Sequence, residues 1–333
     1  MKNKKYVILF LFLFSNVFLF AQPFNGNGDG TAGDPYQIWN NNDLEELYDS
    51  VAYHMTNLFN WINGKHFILM ADITTPFTKI IALGLNGYFH GNGKKINVEI
   101  MCDLLGYRYY SLFGGLSTGI TLDSLIIDGI VNQDCGCAGI TTGVTHFTTS
   151  IKYCINNATL PFGAAGIVQQ NLGGTVSHCI NNGSITGVDR IGGIAGNNDM
   201  GGTVINCTNT GKITATNSGT NTDIFGMPTP DNGVGGIVGC VMNYCKEISN
   251  CINIGNVEGQ GMAGGIVGVI KGMLPPYPNS QLLNCINYGY VKGTNYVGGI
   301  SGWTYNQYFD ISNCVNTGVV EGDTDVGSIV GKE

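Results

Sequence analysis

Charge is what this 333-residue chain is shortest of. Asp, Glu, Lys and Arg together make up 11% of it, and the only arginines are Arg108 and Arg190. Long apolar runs are missing too. The one strongly apolar stretch, Tyr6 to Phe20, is broken by Ser15-Asn16 and falls short of the ~20 residues that span a bilayer. With Lys2, Lys4 and Lys5 before it and Ala21 after it, residues 1–21 read as a secretory signal, with a membrane anchor as the alternative. Leu19, three residues before the cut, is not the small residue such sites prefer. The absence of a nearby cysteine argues against a lipid-anchored lipoprotein. No second apolar span and no C-terminal sorting element follow. A catalytic set is likewise missing from the sequence. A glycosidase needs two carboxylates about 5–9.5 Å apart, and a calcium-dependent lyase needs an acidic cluster with a Lys or Arg base. Neither is legible.

Without its three signal lysines the chain keeps 12 basic and 23 acidic residues, a formal charge of −11. That balance disfavours nucleic acid and anionic membrane as partners. It also disfavours polyuronates unless a cation bridges them. With 51 glycines the composition suits a turn-rich repeat protein, not a disordered acidic tail.

The repeat is plainest in Asn250 to Gly268, NCINIGNVEGQGMAGGIVG. Copies align on Cys154, Cys179, Cys207, Cys251, Cys285 and Cys314, and Leu125 anchors a seventh without cysteine. Two residues on from the cysteines stand Asn156, Asn181, Asn209, Asn253, Asn287 and Asn316. Four on come Gly183, Gly211, Gly255, Gly289 and Gly318, with Ala158 in the first copy. A small pair follows at thirteen, as in Gly192-Gly193, Gly264-Gly265 and Gly298-Gly299. Anchor spacings are 29, 25, 28, 44, 34 and 29 residues. Apolar residues alternate with small or polar ones in short pieces between glycines, which is strand periodicity. No piece buries its own face, so copies must stack. The expected fold is all-β: a right-handed parallel β-helix, each copy a coil of two or three strands. The asparagines should form a ladder that satisfies turn backbone groups. The glycines should serve positive-φ turns or close packing between coils.

Gly-Gly-Ile-Val-Gly, Gly-Gly-Ile-Ala-Gly and Gly-Gly-Ile-Ser-Gly, each followed by an Ile/Val-x-Asn-Cys strand, resemble the GLUG-motif repeats of bacterial secreted and surface proteins. The resemblance covers roughly residues 111–333. Asp34-Pro35-Tyr36-x-Ile38, Asp43-Leu44-x-x-Leu47 and Gly87-x-Phe89-x-Gly91-Asn92-Gly93 are similar to the leader such repeats carry. It implies a parallel β-helix of pectate-lyase-like fold in an extracellular setting, and no defined reaction or catalytic residues.

The chain divides into the signal, a leader with a capping helix over 22–65, and the β-helix over 66–333, the last two forming one compact unit. Asn42 to Met55 is predicted to be helical, capped by Asn42 with Glu45, its Leu44, Leu47, Val51 and Met55 covering an open strand edge. About nine coils at ~4.8 Å each give a rod of roughly 43 Å. The Gly26–Gly30 loop around Asp29 invites calcium, but its spacing is not that of an EF-hand, so a plain turn and no cofactor is the reading. Among the eleven cysteines, the aligned six should be a buried thiol ladder. Cys135-x-Cys137 and Cys240-x4-Cys245 are the better disulfide candidates. His178 reads as a surface or packing histidine. At seven residues past the anchor, Glu258, Lys292 and Glu321 form an alternating-charge column, read as a salt-bridge ladder.

Loop lengths vary at one corner of the coil, and the later loops there are aromatic: Tyr244, Tyr277, Trp303, Tyr305, Tyr308 and Phe309. Either the rings fold back over the solenoid, or they form a contact face for an extracellular glycan or surface protein. A separate insert, Asn217 to Asp231, leaves at the opposite turn. The chain stops soon after its last glycine-pair strand without a polar cap, which suggests end-to-end self-association or a longer parent assembly. The function expected is a secreted or cell-surface adhesive binding module without catalysis. The competing readings are a polysaccharide lyase or glycosidase on the same fold, and a purely structural spacer.

Overall fold

The computed structural model describes residues 24, 26–54, 62–83, 86–101, 111–132, 137–216, 233–271, 280–305 and 309–333. The signal segment, the Asn217–Asp231 insert, Cys135, Tyr277 and Tyr308 lie outside them. So do Met55 and the side chain of Val51.

Each coil contributes one strand to each of up to five parallel sheets. The first sheet stacks ten strands, from Tyr36–Ile38 through Thr121–Asp123, Ser150–Lys152 and Glu247–Ser249 to Phe309–Ser312. The second has nine, the third five, and the fourth and fifth seven each. The coil at Cys207 runs Thr203–Ile205, Thr208–Asn209, Ile213–Ala215, Val234–Gly235 and Val238–Val241, one strand per sheet. Five short strands therefore replace the two or three expected, because nearly every repeat offset pairs with its equivalent one coil away. The expected parallel β-helix is the observed fold, and ten stacked strands at ~4.8 Å make a rod of roughly 43 Å.

The repeat residues explain themselves by stacking. Asn156 Nδ2 donates to Asn181 Oδ1 at 2.6 Å, and the series runs on through Asn209, Asn253, Asn287 and Asn316 at 2.7–2.8 Å. Each amide also donates to the carbonyl two residues ahead, as Asn209 does to Gly211 at 2.9 Å. The glycines four past the anchor leave room for backbone, not for positive φ. A Cβ on Gly211 would overlap the Gly183 carbonyl, and one on Gly255 the Gly211 carbonyl. The second glycine of each pair leaves room for the next coil's asparagine: a Cβ on Gly236 would overlap Asn253. The left-handed turn falls one residue before the anchor, at Ser124, Tyr153, His178, Asn206, Asn250, Asn284 and Asn313, with φ of 51–56°. Asparagine tolerates that conformation best among non-glycine residues, and it fills four of the seven places.

Cys154, Cys179, Cys207, Cys251 and Cys285 are fully buried, and Cys314 in the last coil is half-buried. Each thiol in this column donates to a backbone carbonyl; Cys207 uses Ile205 at 3.3 Å and Val176 at 3.8 Å. Cys137, Cys240 and Cys245 are not in disulfides, so the Cys240–Cys245 bond does not form, and the Cys135–Cys137 candidate lies outside the described residues. Cys240 instead donates to Asn197 Oδ1 at 3.4 Å on the outer side of the fifth sheet, which points its sulfur away from the core.

The helix spans Asn41–His54, with Leu44 and Leu47 fully buried in the main core. Its cap is Asn40, two residues earlier than expected. Asn40 Oδ1 accepts the amides of Asn42 and Asp43, and Asp43 Oδ2 returns to the Asn40 and Trp39 amides at 3.2 and 2.7 Å. This is a capping box with Asp43 in the Glu position. Lys79 pairs with Glu45 and lies 4.7 Å over the Tyr48 ring, which pins the helix beside the first coils.

Candidate functional site

The core asparagines, cysteines and glycines are consumed by stacking, so any function lies outside it. Loops of different length join the fifth sheet to the first, forming the corner expected from the sequence. Tyr305 there is 57% exposed and Tyr244 is half-buried. Trp303 is not a loop residue. It lies on the strand Ser301–Thr304 and is 5% exposed, packed with Cys240, Met262 and Val269 on the outer side of the fifth sheet. Its ring stacks on Tyr296 at 5.9 Å and meets Tyr305 at 5.4 Å. Phe309 is buried as well. One ring of this group, Tyr305, is thus presented on top of buried ones. Aliphatic and thiol side chains seat Trp303, which is why it cannot swing out as a loop ring could.

A turn of the same corner is held from below by Asp199, which is almost fully buried. Its Oδ1 accepts the amides of Met200, Asn243 and Tyr244 at 2.8–3.0 Å, and its Oδ2 accepts Asn243 Nδ2 at 2.5 Å. Both oxygens are engaged, so this carboxylate is a fastener for the loop. Cys245 lies nearby, and burial pushes its thiol up to about 12.

The corner leads directly onto the outer face of the first sheet. Strands there alternate strictly. Phe67, Phe89, Leu122, Ile151 and Val176 point into the core, and the residues flanking them point out. Register sets two outward columns. One runs His66, Tyr88, Thr121, Ser150, Thr175, Thr203, Glu247. The other runs Ile68, His90, Asp123, Lys152, Ser177.

Asp123 is the hub of that face and is 5% exposed. Its Oδ1 meets His90 Nδ1, its Oδ2 accepts the Tyr88 hydroxyl, and Lys152 Nζ lies 3.9 Å from Oδ2. An ionised carboxylate only accepts, so His90 carries its proton on Nδ1 here. Nε2 has no hydrogen-bond partner among the described residues. Burial, and then the bond to Asp123, hold the Tyr88 phenol well above its ordinary range. His66 stacks on Tyr88 at 5.2 Å, and burial lowers its pKa. Exposed rings stand at both margins of the face. Phe147, 75% exposed, stacks on His146 at 4.2 Å before the strands begin, and Tyr153, 52% exposed, stacks on His178 at 4.8 Å where they end.

Sequence reasoning missed this group. A signal existed: Asp123 and Lys152 each stand two residues before an anchor, Leu125 and Cys154. Reading that offset would have placed them on adjacent coils, but His90 lies where no anchor marks the repeat. The structure also revises the charge column. Lys292 pairs with Glu321 at 2.8 Å, while Glu258 takes Lys212, also at 2.8 Å, from a different offset. Asp29 closes its own turn by accepting the Thr31 amide at 2.9 Å. Among the described residues no three His, Cys, Asp or Glu side chains are grouped to hold a metal ion. No described helix is long and apolar enough to cross a membrane.

Comparison with known proteins agrees with the architecture: the chain has the parallel β-helix fold and carries a recognisable GLUG repeat. The family described as "The GLUG motif" matches residues 187–214. That segment is one full coil, from the end of the third-sheet strand Ile185–Gly187 into its successor Ile213–Ala215, with the Gly192-Gly193 pair inside it. A solved structure from Bacteroides ovatus, described as a candidate immunoglobulin A1 protease, is similar in fold with a TM-score of 0.58. The identity is 20%, over 80% of this chain and 79% of that one. None of the curated proteins matches this chain.

Proposed function

We propose that this protein is an extracellular β-helix acting as a binding module, which contacts a glycan or a surface protein through its variable corner and the adjoining first sheet. Export rests on residues 1–21, which have the sequence of a secretory signal. The observation that carries the reading is the Tyr305 ring, exposed above a buried Trp303 at the corner where loop length varies. A ring held by packing presents apolar area at little entropic cost on binding. The test is binding of the exported chain to a glycan array and to surface proteins, with calcium present, for the native protein and Tyr305→Ala. The variant should bind at least tenfold more weakly with an unchanged melting temperature. Equal binding by the two would overturn the corner as contact face.

A second reading, a carbohydrate-active enzyme on the same fold, has one observation in its favour. The Asp123 cluster gathers a carboxylate, an imidazole, a phenol and an ammonium group on one face. Fold-level analogy adds little to that. Assaying every glycan that binds for new reducing ends or unsaturated products separates the two readings.

A further inference from the structure

We propose that the outer face of the first sheet, between His66 and His178, is a saccharide site that reads the hydroxyl groups of an uncharged glycan. This rests on the binding-module reading and gives it a place and a ligand class. Four coils supply the polar centre: His66 from one, Tyr88 and His90 from the next, Asp123 and Lys152 from the two after. Each outward side chain is flanked in its strand by a buried apolar residue, so the group is held on rigid backbone, as precise recognition requires.

The chemistry on offer matches sugar hydroxyls. His90 Nε2 and the Lys152 ammonium are polar groups without a hydrogen-bond partner among the described residues; Lys152 pairs with Asp123 only by charge, at 3.9 Å, beyond hydrogen-bond distance. Beside them runs a row of hydroxyls, Thr121, Ser150, Thr175 and Thr203, one per coil at about 4.8 Å. Thr121 and Ser150 lie 3.4 Å apart, so the row is continuous there. The rings of Phe147 and Tyr153 at the two margins supply apolar area against which the C–H face of a sugar can rest.

Charge decides the ligand class. Asp123 sits in the middle of the face and offsets Lys152, so the centre has no surplus of positive charge to hold a uronate or sulfate. Farther along the same face stands Glu247, and the mature chain carries −11 overall. A polyanion would approach against that field, whereas an uncharged chain would not.

The experiment uses the full exported chain and immobilised neutral oligosaccharides (cello-, xylo-, chito- and galacto-series), with heparin and polygalacturonate as polyanionic probes. His90→Gln and Lys152→Gln are compared with native protein. Thr175→Val, a half-buried change of similar shape, is the second variant should either of those fail to fold. Expected is binding of at least one neutral series, weakened at least tenfold by each of the cluster changes and weakened by Thr175→Val. Neutral binding that survives all three but falls with Tyr305→Ala overturns this site and leaves the binding module standing. Binding confined to the polyanions overturns the ligand class. No saccharide binding at all overturns the proposal, and the module reading then depends on a protein partner.

Discussion

Asn209 shows what one residue does in this fold. It is fully buried, and its amide is used three times: Oδ1 accepts from Asn181, and Nδ2 donates to Asn253 and Gly211, all at 2.7–2.9 Å. Asn209→Ala leaves three buried groups short of a partner, each costing about 1–3 kcal/mol. The expected loss is roughly 3 kcal/mol or more, read as a shift of the urea midpoint. Asn182 takes part in a parallel row outside, accepting from Thr210 at 2.7 Å and donating to Asn157 at 2.8 Å, and it is exposed. Water replaces those bonds, so Asn182→Ala should cost only about 0.5 kcal/mol. Equal losses for the two variants would mean that the buried ladder contributes no more than an exposed row. The inner asparagines were legible from the sequence because six copies share one offset. Which of two consecutive asparagines faces inward follows from strand alternation.

At the scale of the element, the thiol column is the feature to test. Burial and then the neighbouring Cys179 and Cys251 thiols push Cys207 well above its ordinary range. Thiolate is the reactive form, so at Cys207 burial and protonation act in the same direction, and for the other four inner thiols burial is what bars the reagent. At pH 8, iodoacetamide should modify Cys314 before any of Cys154, Cys179, Cys207, Cys251 and Cys285, and all six after denaturation. Peptide mass spectrometry reads the order. A disulfide between column neighbours in freshly prepared protein would refute the thiol ladder. The column shows why parallel stacking does not oxidise itself: equivalent side chains point the same way, and each S–H has a carbonyl to donate to. Two exposed lysines show the opposite case. The Lys212–Glu258 and Lys292–Glu321 pairs are largely exposed, and they contribute little to stability.

For the whole molecule, each coil touches only its neighbours, so stability is close to a sum of coils and interfaces. Removing residues 251–284 joins Asn250 to Cys285. That splice keeps the left-handed turn residue before an anchor and every column in register. The shortened chain should be exported, keep a β-type circular dichroism spectrum and melt cooperatively at a lower temperature. Removing 251–264 instead cuts a coil in mid-course and puts unlike offsets on top of one another. That chain should not fold, because a register error turns whole faces the wrong way. Two equally folded deletions would count against the nearest-neighbour account.

The sequence alone determined the relation of like to like. A residue recurring at one offset must stack on its copies, because parallel pairing repeats at every coil. Hence the asparagine ladder, the cysteine column and the glycine spaces are all legible in the repeat itself. Only the tertiary structure decided the relation of unlike residues. His66, Tyr88, His90, Asp123 and Lys152 come from coils of unequal length, some without an anchor cysteine, and register alone brings them onto one face. It also decided that Trp303 is covered and Tyr305 exposed. Two residues apart in the chain they look alike, but the strand runs through Thr304, which seats the Trp303 ring against Cys240 and Val269 and leaves Tyr305 to open the loop.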